Sequence, residues 1–298
     1  MNDSAGRNQG TSPVSVCLRH RTTYLFERPA VLGPHSIRLR PSPHCPVPIL
    51  GYELRVDPQD AEVRWHHDPH DNWVARAFFP SPAGKLDIDV RMEARLAPVN
   101  PFDFYVDDWA LRYPFAYPHA LSRELAAYLW RDEPTPRVRA FVEEVRAAVG
   151  GSNTAEALTT ANRMTHARIG YLTREEEGVL APEETLARGC GSCRDSAWLL
   201  VQVLRHLGIA ARFSSGYLVQ LQRPPEIARD TLALHAWCEA YLPGAGWMGL
   251  DATSGLATAE GHIPLASVAH HETAAPVSGS FSGAGASLQF DMTVQRLA

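Results

Sequence analysis

Cys193 stands at the end of the run Gly189-Cys190-Gly191-Ser192-Cys193. It opens a stretch in which Ala197, Leu200, Val201, Leu204 and Leu207 recur before Gly208. Apolar residues three and four apart with a glycine stop predict a helix over 193–207. Ser192 with Asp195 three residues later matches a capping box, which puts Ser192 at the N-cap and Cys193 at the first helical position. A thiol there meets unpaired amide groups and the positive end of the helix dipole, both of which favour the thiolate, the nucleophilic form. The same amides suit the oxyanion of a tetrahedral intermediate.

A base and a carboxylate follow in order. In the predicted strand 234–242, His235, Trp237, Glu239 and Tyr241 share one face, and Leu234, Ala236, Cys238, Ala240 and Leu242 share the other. If the apolar set takes the core, His235 faces the polar side, where an imidazole can serve as base to a thiol. Pro243-Gly244-Ala245-Gly246 then turns the chain into Trp247–Asp251. Pairing Leu242 with Trp247 would separate Asp251 from His235. Pairing Tyr241 with Trp247 makes them diagonal neighbours on one face, about 7–8 Å apart at Cβ. The second register is expected, with Asp251 fixing the imidazole. A cysteine at a helix start or a histidine on a strand, taken alone, reads as packing; the three together read as a nucleophile, a base and its orienting group.

Placing those side chains takes a helix, a hairpin and a core to hold them. The chain has 298 residues and 45% hydrophobic content, enough for about two units. Its net charge of −5 is spread among interspersed acidic and basic residues, which gives no footprint for nucleic acid or an anionic membrane. Lys85 is its one lysine, so self-crosslinking through lysine would have few sites. From Lys85 to Leu96 apolar and charged residues alternate, a half-buried strand. The segments 62–65 and 73–79 flank the turn-forming HHDPHDN and predict a hairpin. Thr135 caps a predicted helix with Pro136 at its first position, and a second helix is expected from Asn153 to about Arg168. These signals divide the chain into a disordered tail (1–12), a β-rich N-terminal domain (13–98), a core with leading helices (99–262) and a C-terminal loop with a returning strand (263–298). A loop holding Pro224 and Pro225 is expected inside the core.

The segments 191–217 (GSCRDSAWLLVQVLRHLGIAARFSSGY) and 234–256 (LHAWCEAYLPGAGWMGLDATSGL) resemble the core of the bacterial transglutaminase-like superfamily. Residues 14–98 resemble the β-rich domain that accompanies it. The resemblance implies an α+β fold: a papain-like core with the cysteine on a helix packed against an antiparallel sheet, preceded by a β-sandwich-like domain. It assigns the catalytic roles to Cys193, His235 and Asp251, and leaves Tyr171 and Trp237 as candidates for the oxyanion site or pocket. It implies a peptide or protein substrate with a glutamine or other amide donor, an amine or water to resolve the acyl-enzyme, and no cofactor. Peptidases and amidases share the same scaffold.

Other readings compete. Cys190-Gly191-Ser192-Cys193 is a CxxC at a helix start, as in thiol–disulfide oxidoreductases, and Cys190 is a candidate redox partner for Cys193. His66, His67, Asp68, His70 and Asp71 could gather a metal, but a polar hairpin turn explains them more simply, and no second CxxC or HExxH completes a zinc set. A catalytically silent interaction scaffold is a third. Five cysteines at irregular spacing, with no basic-then-apolar leader and no run of ~18 apolar residues, lead to the expectation of a cytoplasmic protein with reduced thiols.

Overall fold

The computed structural model describes residues 12–174, 176–222 and 229–297. The expected tail, up to residue 11, and the Pro224-Pro225 loop lie outside the described residues. The N-terminal domain opens with β1 (Val14–Leu32), β2 (His35–Ile37), β3 (Ile49–Asp57), β4 (Glu62–His67), β5 (Trp73–Phe78) and β6 (Ala83–Leu96). β1 pairs β6, which pairs β3; β2 pairs β5, which pairs β4. The two sheets enclose one apolar cluster, as a sandwich does. In β6 the alternation does what its period requires: Leu86, Ile88, Val90, Met92, Ala94 and Leu96 are all buried. The intervening carboxylates meet cross-strand arginines, Asp89 with Arg19 at 2.7 Å and Asp87 with Arg21 Nε at 2.9 Å.

The core follows with α1 (His119–Glu124), α2 (Ala126–Leu129), α3 (Pro136–Val149), α4 (Thr154–Arg168), β7 (Gly170–Tyr171), α5 (Pro182–Arg188), β8 (Cys190–Gly191) and α6 (Cys193–His206). Then come β9 (Ala211–Gln220), β10 (Thr231–Leu242), β11 (Gly246–Asp251), β12 (Leu256–Ala257), β13 (His262–Val268), β14 (Val277–Ser278), β15 (Phe281–Ser282) and β16 (Ala286–Arg296). The N-cap of α4 behaves as expected, with the Asn153 side chain accepting from Ala155 N–H at 2.9 Å. Thr135 likewise holds the N-cap position of α3, with Pro136 at N1, but makes no side-chain cap bond. The Thr135 hydroxyl donates to Glu183 of α5 at 2.6 Å, and the Glu183 carboxylate accepts the Arg137 N–H at 3.0 Å. A tertiary contact has replaced the local cap.

The core sheet runs β12-β11-β10-β9-β13. β13 is the main departure from the predicted organisation. Residues 262–268 were expected to close the core and enter a loop, yet they add an edge strand to β9, with Ile263 opposite Tyr217. The chain then returns to the N-terminal domain: β14 joins β2, β15 joins β1, and β16 pairs β1 from Val16↔Arg296 to Phe26↔Ala286.

One face of β9 and β10 serves two cores. Ala236, Cys238, Ala240 and Leu242 pack with Leu199, Leu200 and Val203 of α6, whereas Leu232, Tyr217 and Val219 pack with the N-terminal sheets. Leu234, predicted to lie with the α6 set, joins the N-terminal cluster instead. The opposite face is not open to water as its polar residues implied. Trp237 and Glu239 are buried, and Asn72 of the N-terminal domain holds Ser267 of β13 through two hydrogen bonds of 3.0 and 2.9 Å. His235 sits where these packing regimes meet.

Candidate active site

The start of α6 is built from both sides. Ser192 is extended (φ −78°, ψ 174°) and Cys193 begins the helix. Asp195 accepts the Ser192 N–H and hydroxyl, each at 2.8 Å, so the predicted pairing of cap residues is present. Asp195 does more than cap. It has no exposed surface and also accepts the Leu180 N–H at 2.8 Å and the Arg174 guanidinium at 3.0 and 3.2 Å. Burial would push its carboxyl up, but Arg174, Leu180 and Ser192 together hold it below its ordinary value. Arg194 donates to the carbonyls of Arg174 and Glu176, both at 3.0 Å. The loop before α5 is thereby tied to the helix turn that carries the thiol. Gly191 admits this packing, since a Cβ there would stand 2.9 Å from the Asp195 Cβ.

The hairpin adopts the expected register, Tyr241 opposite Trp247 and Cys238 opposite Leu250. Asp251 is thus diagonal to His235, and its Oδ2 lies 3.2 Å from His235 Nε2. Both side chains are more than nine-tenths buried. Burial opposes charge on His235, yet the Asp251 carboxylate and the Cys193 thiol outweigh it and raise the imidazole to about 9. Asp251 is held far below the usual carboxylate range despite its burial, by His235, His262 and the Thr253 N–H. Thr253 N–H reaches Asp251 Oδ1 at 2.8 Å and the Ser254 hydroxyl reaches Oδ2 at 3.0 Å. His235 therefore stands against a carboxylate fixed from the turn that follows it.

Two residues of the site escaped the sequence reading. Arg174 lies 21 positions from Asp195, in a segment without periodicity. His262 opens β13, and its Nε2 stands 3.6 Å from Asp251 Oδ2; nothing in GHIPLASV indicates that this strand crosses to β9. Ser254 was legible as part of the DATSG run but without a role. His235, Asp251 and His262 offer three donor atoms within 4.8 Å of one another, a spacing that could receive a metal ion. The chemistry of the set does not fit. His262 Nδ1 accepts the Ala259 N–H at 3.3 Å, so the ring proton sits on Nε2, the atom that would have to bind the ion.

The remaining candidates separate. Trp237 is 1% exposed and its indole N–H donates to Glu239 at 3.1 Å; the donor is committed, which removes it from the oxyanion role. Its ring lines a cavity of about 420 Å³ between the domains, with Val47, Phe104, Trp247 and His262. Tyr171 pairs with Gly191 in the short β7–β8 ladder and is 59% exposed, two residues from the thiol in sequence register. Cys190 lies in β8, and the chain from it to Ser192 is extended. The Cys190 thiol and that of Cys193 both stand free. The His66–Asp71 segment is a hairpin turn: Asp68 accepts from His70 N–H, Asn72 N–H and Asn72 Nδ2, which spends the carboxylate on the turn.

Residues 16–95 match the bacterial transglutaminase-like N-terminal region, and residues 139–252 match the transglutaminase-like superfamily core. The chain is a transglutaminase-like superfamily protein. Both matched regions fall where the resemblance placed them. A crystal structure from Cytophaga hutchinsonii, provisionally assigned as a cysteine protease, superposes on this transglutaminase-like protein with a TM-score of 0.72 and 18% identity, covering 97% of this chain and 92% of that one. The shared fold is the papain-like arrangement of helix and sheet. An uncharacterized protein of Mycobacterium leprae is 29% identical over 145 residues, 48% of this chain and about half (51%) of its own length. One from Mycobacterium bovis is 25% identical over 246 residues, 79% of this chain and 77% of that one. Among the described residues, no helix is long and apolar enough to cross a membrane.

Proposed function

We propose that this transglutaminase-like protein is a Cys-His-Asp acyl-transfer enzyme acting on a glutamine or other amide of a peptide or protein. The observation that carries the reading is the 3.2 Å contact of His235 with Asp251, beside a thiol that itself helps raise the imidazole to about 9. At neutral pH the proton rests on His235. The Cys193 sulfur attacks the amide carbon, and the free amides at the first turn of α6 receive the oxyanion. His235 then gives its proton to the departing nitrogen, so the C–N bond breaks as the thioester forms and ammonia or an amine leaves. An incoming amine or water surrenders a proton to His235 as it attacks the thioester, which restores the starting state.

Transfer and hydrolysis share the first half of this cycle, and the experiment separates them. Glutamine-containing peptides incubated with the protein, with and without a primary amine, are read by mass. Amine addition with loss of ammonia supports transfer; a gain of about 1 Da or chain cleavage supports the amidase or peptidase form of the same chemistry. No mass change across a broad library, with Cys193 no more reactive than the other thiols, would leave the scaffold reading in its place. We further place the enzyme in a reducing, cytoplasmic setting, a reading supported by five cysteines that all stand unpaired.

A further inference from the structure

We infer that His262 is a positioning residue for the triad, a second imidazole whose Nε2–H approaches Asp251 Oδ2 alongside His235, the two rings 5.9 Å apart; this rests on the acyl-transfer reading above. Three observations converge. The tautomer is fixed from outside the site, because Ala259 N–H is received by Nδ1 at 3.3 Å and the remaining ring proton is left on Nε2. That Nε2 is fully shielded from solvent, has no hydrogen-bond partner within normal limits, and stands 3.6 Å from Asp251 Oδ2. The ring is packed perpendicular to Trp237, with centroids 5.3 Å apart.

The support extends backwards along one line of buried groups. Trp237 donates to Glu239 at 3.1 Å, and Glu239 accepts Arg212 at 2.7 Å. Gly216 makes room for the indole, since a Cβ there would stand 2.6 Å from the Trp237 ring. A fixed N–H dipole 3.6 Å from a buried carboxylate favours its ionised form and restricts its rotation, because the low-dielectric surroundings strengthen the attraction. Thr253 N–H holds Oδ1 and the Ser254 hydroxyl reaches Oδ2 from the turn that follows; the dipole from β13 adds a restraint from a distant strand on the oxygen that faces His235. His262 therefore acts through Asp251 on His235.

The test needs no substrate. Alkylation of Cys193 by iodoacetamide is followed by peptide mass spectrometry at neutral pH in the wild type and in His262→Leu, His262→Gln and His262→Glu, with melting temperature as the folding control. Cys45 and Cys238 serve as slow internal references, since burial pushes both thiols up, Cys45 to about 11. The leucine variant is expected to slow Cys193 labelling about tenfold, the scale of one charge-assisted contact. Glutamine, whose amide N–H reaches as Nε2–H does, restores most of the rate. Glutamate, the same size, places a carboxylate against Asp251 and restores none; it carries the comparison should leucine fail to fold. Equal rates in all four proteins, or equal loss in the glutamine and glutamate variants at unchanged melting temperature, would overturn the inference. So would one-to-one Zn²⁺ binding by the wild type that is lost in His262→Gln, because the nitrogen would then be a ligand and not a donor. If Cys193 in the wild type labels no faster than the reference thiols, the triad reading itself has failed.

Discussion

His20 and His235 are both buried, and they lie on either side of one strand junction: His20 bonds the hydroxyl of Tyr217, and the preceding residue, Gly216, pairs with His235. His20 Nδ1 is 2.9 Å from Tyr217 Oη and its Nε2 is 3.1 Å from Thr22 Oγ1. Those partners are neutral. Burial governs, and the imidazole falls to about 4 although Asp89 pulls weakly the other way. His235 pays a similar desolvation cost, but Asp251 and Cys193 reverse it and lift the ring to about 9. The comparison shows that depth alone silences a histidine, and that an adjacent carboxylate makes an equally buried one a proton carrier.

The comparison can be broken at several points, the first being the most severe. Cys193→Ala should abolish thioester formation and all turnover, as judged by acyl-enzyme mass after incubation with a reactive peptide. Asp251→Asn should lower turnover by about 10³–10⁴ while leaving the fold in place. It should also bring the His235 titration from about 9 to below the ordinary histidine value, toward the behaviour of His20, as followed by imidazole NMR. A titration unchanged at 9 would mean that Cys193 and not Asp251 distinguishes the two rings.

A stability measurement tests the same principle on a carboxylate. Arg174→Leu leaves Asp195 buried without its cation, since their side chains are 8% and 0% exposed. A loss of roughly 3–5 kcal/mol is expected in urea unfolding, with slower Cys193 labelling in the surviving folded protein. The mildest test is pH. His20 binds its proton less readily folded than unfolded, so its contribution is present above about pH 6.5 and is lost as pH falls toward 4, by about 3 kcal/mol. His235 has the opposite sign: its contribution is present below about 6.5 and is lost as pH rises through about 9. Unfolding curves of His20→Phe should lose the acid slope and keep the alkaline one, and those of His235→Gln should do the reverse.

Legibility followed the range of the interactions. Helix α6 was readable because its apolar period, its cap residues and its glycine stop all lie within sixteen positions of one another. The register of the 241–247 hairpin was readable because only one pairing puts His235 and Asp251 on a common face. Thr135 holds the N-cap position of α3 with Pro136 at N1, as the sequence indicates, but the partner of its hydroxyl, Glu183 of another helix, was not legible. Trp237 does line the cavity between the domains, but its burial was not legible, because alternation reveals which face a side chain takes and not what covers that face; the N-terminal domain covers it here.

What the sequence determined by itself was the local chemistry: a thiol at a helix start, an imidazole and a carboxylate in one hairpin, and the elements that carry them, since capping and periodicity act over a few residues. What the tertiary structure decided was the electrostatic setting. Arg174 reaches Asp195 and His262 reaches Asp251 only after chain segments without mutual sequence signals have folded together. Whether a buried group is charged depends on what stands within a few ångströms of it, and that distance is set by packing between distant segments, which no local pattern encodes.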